Sequence, residues 1–235
     1  MAYPQQTHYI PAINADEDVR SAFLIRVYQH VALAVLAFVA FETILFVTGL
    51  AQGILNFFSG NGFLWLGLIG AMYLGSTMSF KAAQRIDDVN IQYAGLFGMA
   101  AMYSIVFAPL LRSVFNADAS GLVWQAALIT LVGFAGLTVI GMTTSKDLSF
   151  MRPILLWAGF AALGLIVAGA IFGFQLGIIF SVGMIALSGA TILYQTQTIV
   201  RQFPAWAHVA AALGLFSSLM TMFYYVLRLL AATRR

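Results

Sequence analysis

Long apolar segments alternate with short polar connections along nearly the whole chain. Residues 153 to 200 contain no Asp, Glu, Lys, Arg or His. A helix crosses the hydrocarbon core of a bilayer in about 20 residues, so this run is long enough for two crossings. Seven such segments predict an all-α integral membrane protein with seven transmembrane helices. Their predicted ranges are about 27–50, 63–81, 91–111, 122–142, 153–172, 177–200 and 209–230.

The composition agrees with this pattern and excludes several classes of protein. The 235 residues are 62% hydrophobic and 8% charged, whereas soluble domains carry about 25% charged residues. The absence of cysteine excludes disulfides and thiol catalysis. The small net charge of +3 is spread over loop ends and tails, so it predicts no nucleic-acid surface. We expect a polar tail over residues 1–22 and one membrane domain over residues 23–235.

The positions of Lys and Arg predict the orientation in the membrane, because cytoplasmic loops are enriched in both. With a cytoplasmic N-terminus, the inner connections carry most of the basic residues and the outer connections carry Arg112 alone. Seven crossings then place the C-terminus outside. Arg228, Arg234 and Arg235 favour an alternative in which the last segment enters the membrane and returns. The inner basic residues are Arg20, Arg26, Lys81, Arg85, Lys146, Arg152 and Arg201.

Polar residues recur on one side of each of the last two predicted helices. At 100° per residue, each set falls on one stripe of its helix, which suggests that the two helices face each other or share a wet cavity. Hydrogen bonding within and between packed helices is the simpler interpretation of the hydroxyl groups. The stripes are Ser181, Ser188, Thr191, Gln195 and Thr198 on the sixth helix, and Gly214, Ser217, Ser218, Thr221, Tyr225 and Arg228 on the seventh.

Three further polar positions are candidates for function. Glu42 is the one carboxylate within a predicted span, so it is a candidate titrating group. Snorkelling to the interface is the alternative for this residue. His30 lies near the inner end of the first span, where we expect it to contact lipid headgroups. Lys146 and Asp147 begin a short connection, where we expect an orienting charge and a helix-end cap.

No enzyme site is predicted. The chain contains no His-Glu-x-x-His, no Gly-x-Ser-x-Gly and no glycine-rich phosphate loop. His30 and His208 lie at the wrong depth to assist an intramembrane serine, and His8 lies in the polar tail. We therefore expect a protein that is not an enzyme and that has no cofactor and no metal site.

Three features together resemble a known family. Lys146-Asp147-Leu148-Ser149-Phe150 follows the fourth predicted helix, Tyr194 lies near the end of the sixth, and Pro109 lies late in the third. With the seven-helix layout, these residues resemble the transmembrane Bax inhibitor motif family over about residues 20–230. The resemblance implies a bundle in which the last helix is central and the other six surround it. It also implies a family loop motif at Lys146, Asp147 and Ser149.

The family resemblance also sets an expectation about calcium. Several members are described as calcium or proton leak pathways, in which an aspartate after the sixth-helix tyrosine pairs with an aspartate on the seventh helix. Here Gln195 follows Tyr194, and Ser218 stands at the aligned second position. A carboxylate pair can share a proton, whereas an amide and a hydroxyl do not titrate. We therefore do not expect calcium binding at an acidic pair.

Residues 192 to 196 resemble the bacterial YccA-like branch of that family. This implies a location in the bacterial cytoplasmic (inner) membrane and a membrane-anchored AAA protease, FtsH, as partner. The leading hypothesis is thus a non-enzymatic modulator of membrane proteolysis or stress survival, with the N-terminal tail as a handle for the partner.

The alternative hypothesis is a cation (calcium) or proton leak channel along the sixth and seventh predicted helices. A small-solute transporter ranks third, because the chain has no internal repeat and Pro109 is its one helix breaker. Besides the lipid bilayer and such a protease, we expect no partner and in particular no nucleic acid. The candidate pathway residues are Gln195, Ser218, Thr191, Thr221, Tyr194 and Arg228.

Overall fold

A computed structural model describes residues 14, 16–59, 62–85 and 88–234. In this part of the chain all regular structure is helical, which confirms the predicted all-α class. Seven of the helices are long and apolar enough to cross a membrane. The helices are α1 (Glu17–Val47), α2 (Leu50–Phe58), α3 (Gly62–Ala83), α4 (Val89–Asn116), α5 (Gly121–Thr143), α6 (Met151–Phe172), α7 (Ile178–Gln202) and α8 (His208–Thr233).

The first helix begins ten residues before its predicted start at Val27. Glu17 and Asp18 lie in its first turn, where negative charge favours a helix N-terminus. Phe23 and Val27 are buried one turn apart, so the core-facing stripe starts between the predicted polar tail and the first predicted span. Most of the rest of that tail, residues 1–13 and 15, lies outside the described residues, and so does the proposed handle for a partner.

The connection predicted between the first two spans contains a short helix, α2. The chain leaves α1 through Gly49, whose φ of 77° lies in the left-handed region that glycine adopts without strain. Gln52 on α2 then accepts hydrogen bonds from Arg112 Nε at 2.8 Å and from Asn116 Nδ2 at 3.1 Å. This uncharged segment is therefore ordered by the end of α4, a partner that is distant in sequence.

The helix α4, which corresponds to the third predicted span, continues past the predicted end at 111, with Pro109 inside it. Its N-terminus is capped by Asp88, whose Oδ1 accepts from the backbone N–H of Asn90 at 2.9 Å and of Ile91 at 3.2 Å. At the other end, Phe115 packs edge-on against Phe46 of α1, with ring centroids 5.1 Å apart. This packing extends α4 beyond the proline.

The last helix, α8, is the centre of the bundle, as predicted. In its apolar stretch 72% of the residues are buried, against 6% in α3 and 6% in α6. It packs against α1, α4, α5 and α7. Its largest core side chains are inaccessible to solvent because neighbouring helices cover them on several sides: Leu213, Leu215, Phe216 and Leu227.

The bundle has two ends, named here after one residue at each. At the His30 end, the rings of His30 and His208 lie 4.8 Å apart, centroid to centroid. At the Arg228 end, Arg228 donates to the Leu176 carbonyl, and Arg234 donates to the Asp118 carbonyl at 3.3 Å. The helix α8 therefore runs without interruption from one end to the other. The alternative of a last segment that enters and returns is wrong.

Candidate functional site: the seam between α7 and α8

The two predicted polar stripes meet along a seam between α7 and α8, defined here as Thr191, Gln195, Ser217, Ser218 and Thr221. At its centre, Ser218 Oγ donates to Gln195 Oε1 across the interface at 3.0 Å. Gly214 lies one turn before Ser218, and a Cβ there would be 3.7 Å from Gln195 Nε2, so the amide lies against the α8 backbone. The structure thus brings Gln195 and Ser218 into contact, the two residues that the resemblance aligned with an acidic pair.

Five further hydroxyl groups of the stripes bond back to their own helices. Ser188, Thr191, Thr198, Ser217 and Thr221 each donate to a carbonyl four residues earlier, at 2.8 to 2.9 Å. Hydroxyls commonly satisfy themselves in this way inside helices. Tyr194 is half-buried, and its carbonyl accepts the bond from Thr198. Among these bonds, the one between Ser218 and Gln195 links the two helices.

Tyr103 joins the seam from α4, and the sequence analysis did not identify it. Its hydroxyl donates to the Ser217 carbonyl at 3.0 Å and lies 3.3 Å from Thr221 Oγ1. A buried tyrosine hydroxyl needs a hydrogen-bond partner. The one available signal was its position midway along an otherwise apolar predicted span.

A large cavity of about 940 Å³ occupies the half of the bundle nearer Arg228. It reaches the Arg228 end because the turn from Gly173 to Leu176 lines it. Its polar lining includes Tyr103, Thr221 and Arg228. Its walls come from α3, α4, α6 and α8, so it separates the sparsely packed helices α3 and α6 from the central helix.

A small cavity of about 180 Å³ continues the large one toward the His30 end. The two share Met184 and Thr221 as lining residues. Further lining comes from Ser188, Thr191, Ser217 and Ser218, whereas Gln195 lies beyond the lining. The cavities therefore adjoin each other, and their linings extend from the Arg228 end to Ser218, which donates to Gln195.

The one charged residue that lines either cavity in the described part of the chain is Arg228. Its Nη2 donates to the Leu176 carbonyl at 2.8 Å. A guanidinium group has five N–H donors. With no Asp or Glu among the described lining residues, the charge of the large cavity is positive.

At the His30 end, two α7 side chains hold the connection between α5 and α6. Gln197 is 5% exposed, donates to the Lys146 carbonyl at 2.6 Å, and accepts from the Leu148 N–H at 2.9 Å. Arg201 Nη2 donates to the carbonyls of Thr144 at 3.2 Å and Ser145 at 3.0 Å. Gln197 lies off the polar stripe of α7, so the stripe pattern missed it.

Within this connection, Asp147 orders the loop motif and does not cap a helix end. Its Oδ1 accepts from the Ser149 N–H at 2.9 Å, and its Oδ2 accepts from Ser149 Oγ at 3.0 Å. The bond from the Ser149 backbone N–H is the main cause that holds the pKa of the Asp147 carboxyl below its usual value. Lys146 takes part in this arrangement through its backbone carbonyl, which accepts a hydrogen bond from Gln197.

Glu42 lies apart from the seam, on the face of α1 that enters the core. Its side chain is 7% exposed, and among the described residues neither carboxylate oxygen has a hydrogen-bond partner. It has therefore not snorkelled to the interface, which was the alternative for this residue. An intramembrane carboxylate with this degree of burial remains a candidate functional group.

The ring of His30 contacts protein groups, and the expected contact with lipid headgroups stays a prediction. Its Nε2 lies 2.9 Å from the Tyr93 hydroxyl, and its Nδ1 lies 2.7 Å from the Arg26 carbonyl. The ring also faces His208. The Nε2 contact with Tyr93 thus joins α1 to α4 and the ring contact with His208 joins α1 to α8, whereas the Nδ1 contact stays within α1.

The fold and the seam define a multi-pass α-helical membrane protein with a central last helix and two adjoining cavities. Residues 20–235 match the family model described as "Inhibitor of apoptosis-promoting Bax1". This chain belongs to that family, as the loop motif and Tyr194 suggested.

The similar proteins found are bacterial and carry no assigned function. An uncharacterized protein of Campylobacter jejuni is 29% identical over 89% of this chain and 88% of its own length. One from Pseudomonas aeruginosa is 28% identical over 57% of this chain and 60% of its own length. One from Helicobacter pylori is 24% identical over 82% of each chain. The family is therefore shown, while the activity has to be argued from the site.

Proposed function

We propose that this protein forms a gated polar pathway through the membrane, and that the structure represents its closed state. The observation that carries the proposal is the pair of adjoining cavities that ends at the Ser218–Gln195 bond. A neutral hydrogen bond contributes only about 1 kcal/mol net, so a side-chain rotation at Ser218 or Gln195 can break it while α7 and α8 stay packed. The bond would then act as a reversible closure.

The charges along the pathway favour anionic or neutral solutes over cations. Arg228 lies at the entrance, and the described lining holds no carboxylate to compensate it. A fixed positive charge in a narrow pore raises the electrostatic barrier for cations. Divalent calcium experiences the largest barrier, which argues against the calcium leak described for other members of the family.

Two substitutions at Ser218 test the closure because they should act in opposite directions. Ser218→Ala removes the donor and leaves space, so solute flux into liposomes should rise several-fold. Ser218→Leu fills the small cavity with apolar atoms and should abolish flux. Ser188→Ala is the matched control, because Ser188 lines the same cavity but bonds within its own helix.

The measurement is efflux of chloride, a small neutral solute and calcium from liposomes that contain the purified protein. Flux equal to that of protein-free vesicles in every variant, including Ser218→Ala, would exclude the pathway. Equal responses of Ser218→Ala and Ser188→Ala would show that the cross-helix bond is packing and not a closure.

The absence of titratable groups at the closure gives a second test of the same proposal. An amide and a hydroxyl keep one charge state, so wild-type flux should not change between about pH 5 and pH 8. The double variant Gln195→Asp/Ser218→Asp places two carboxyl groups where the present oxygens are 3.0 Å apart. Such a pair shares a proton and should introduce a pH dependence. A strong pH dependence of the wild type that survives Glu42→Gln would place the gate elsewhere.

A second candidate function is modulation of membrane proteolysis through a partner such as FtsH. It is favoured by Gln195 and Ser218, which replace the acidic pair and resemble the YccA-like branch. In this case the protein would copurify with an AAA protease from native membranes, and its deletion would change the turnover of membrane proteins. Neither result is expected if the seam acts only as a pathway.

We further propose a location in the bacterial cytoplasmic membrane, with the His30 end on the cytoplasmic side. The bacterial relatives and the basic residues near this end support it. Because the chain has no cysteine, a single Arg234→Cys substitution gives a unique label site. A membrane-impermeant thiol reagent should modify this cysteine from outside intact cells. If the cysteine is protected from the reagent, the orientation is the opposite of the proposed one.

A further inference from the structure

We infer that the large cavity is a binding site for an amphiphile with one acyl chain and an anionic head, such as a long-chain carboxylate. The inference concerns binding alone and does not require the seam to open. The binding experiment and the liposome experiment can therefore fail separately.

The size and walls of the cavity suit an acyl chain. Its volume of about 940 Å³ lies within the range of about 300–1,000 Å³ that is typical of small-molecule sites. Most of its wall consists of aliphatic and aromatic side chains, which an inorganic ion or a small polar solute would leave in contact with water. The apolar wall on α3, α4 and α6 is formed by Leu68, Ile69, Met72, Val106, Phe107 and Ile166.

The charge of the cavity selects the head group. Among the described residues, the Arg228 guanidinium donates one hydrogen bond, to the Leu176 carbonyl, so most of its donors can bind another acceptor. Carboxylates and phosphates bind guanidinium groups through short, charge-assisted hydrogen bonds. Gln175 lines the cavity beside Leu176 in the same turn and offers a further donor.

The arrangement of these groups gives the ligand a direction. Arg228 and Gln175 lie at the Arg228 end, where the cavity reaches the surface of the bundle. The apolar wall continues from there toward Tyr103 and Thr221. A head group at Arg228 therefore places the acyl chain along the wall, with its end near the seam. A fully apolar molecule would gain nothing from the guanidinium, and a cationic one would be repelled.

The experiment is a ligand titration of the full chain in a neutral detergent, followed by native mass spectrometry. The probes are oleate, lysophosphatidate, oleyl alcohol and oleylamine. We expect the two anions to bind about tenfold or more tightly than the alcohol, because a charge-assisted hydrogen bond is lost with the charge. Preference for oleate over lysophosphatidate, or the reverse, identifies the head group as carboxylate or phosphate.

Matched variants separate the head-group contact from the acyl-chain site. Arg228→Gln should remove the preference for anions, whereas Arg234→Gln should keep it, because Arg234 is at the same end but outside the lining. Ala170→Phe should reduce binding of all four probes by filling the cavity. Leu165→Phe, on the lipid-facing side of the same helix, should not.

Equal binding of oleate and oleyl alcohol by the wild type would overturn the inference, since the cavity would then take up any apolar chain. An anion preference that persists in Arg228→Gln would also overturn it. If Ala170→Phe does not fold, the comparison of the two arginine variants still decides the head-group assignment.

Discussion

The His30 end and the Arg228 end of the bundle are packed in different ways. At the His30 end α3 touches α4 so closely that a Cβ on Gly95 would lie 2.6 Å from the Ser79 carbonyl oxygen. At the Arg228 end, the same helix passes Gly67 and Gly70, where added Cβ atoms would meet nothing within 4 Å. The large cavity lies behind this half of α3.

The connections at the two ends differ as well. Gln197 and Arg201 hold residues 144 to 148 with side-chain bonds to the backbone. In the part of the chain that the structure describes, one such bond reaches the turn from Gly173 to Leu176, from Arg228 to the Leu176 carbonyl. The bundle therefore has a tightly packed half at the His30 end, called here the closed half, and a loosely packed half at the Arg228 end, called here the open half. The seam lies at their boundary. A substitution in the closed half should therefore lower the stability of the protein more than a similar substitution in the open half.

The largest effect is expected for Gly95→Ala. The new Cβ would overlap the backbone of α3, which cannot move without shifting the helix, so we expect a loss of about 3 kcal/mol in the free energy of unfolding. Gly70→Ala, in the open half of α3, should be neutral or slightly stabilising because alanine favours helix. Chemical unfolding of both variants in detergent checks this. Equal losses would remove the distinction between the two halves.

A somewhat smaller loss is expected for Gln197→Leu, which leaves the Lys146 carbonyl and the Leu148 N–H without their side-chain partner. Unsatisfied buried groups of this kind cost about 2 kcal/mol. Thr198→Val is the control, because its hydroxyl bonds only within α7. The same unfolding assay should show little change in the control. Proteolysis within residues 144–150 should increase in Gln197→Leu, and an unchanged cleavage rate would argue against the role assigned to Gln197.

Glu42→Leu should change stability in the opposite direction. It removes two buried oxygen atoms that have no hydrogen-bond partner, so we expect a gain of about 1 kcal/mol. Thr43→Val, on the exposed side of the same helix, should have almost no effect. A loss of stability in Glu42→Leu would mean that the carboxyl group has a binding partner in the membrane.

The smallest effect concerns Asp147 and pH. The folded-state pKa of its carboxyl is lowered below the usual 3.8, mainly by the Ser149 N–H, so the contact stabilises the loop near neutral pH. This contribution is lost as the pH falls through the lowered folded-state pKa. Asp147→Ala should therefore lower the melting temperature slightly at about pH 6, and this difference should shrink as the pH falls below the usual pKa of 3.8. A difference that persists at the lower pH would assign the effect to packing.

The residues of the seam could be predicted from the sequence, but the groups that surround the seam could not. The stripes on the last two helices could be read from spacing, and the hydrogen bond between Gln195 and Ser218 joins them. Tyr103 and Gln197 could not be found in this way, because their partners lie on other elements and no local pattern marks them. The helix α2 was missed for a related reason, since nine residues are too few to show a period and their order depends on Arg112. The cavity depends on where α3 diverges from α4, which no local residue pattern encodes.

The central position of α8 has a consequence for how the protein is made. The ribosome produces α1 to α7 before α8, so these helices enter the bilayer while their common packing partner does not yet exist. Lipid tails can solvate the apolar faces of α1 and α4 in the meantime, because acyl chains are as apolar as leucine side chains. Glu42 is the exception on α1, since lipid offers its carboxyl group no partner. Tertiary assembly of the bundle therefore follows synthesis of its last helix, and premature termination anywhere before His208 leaves membrane-inserted helices without a core.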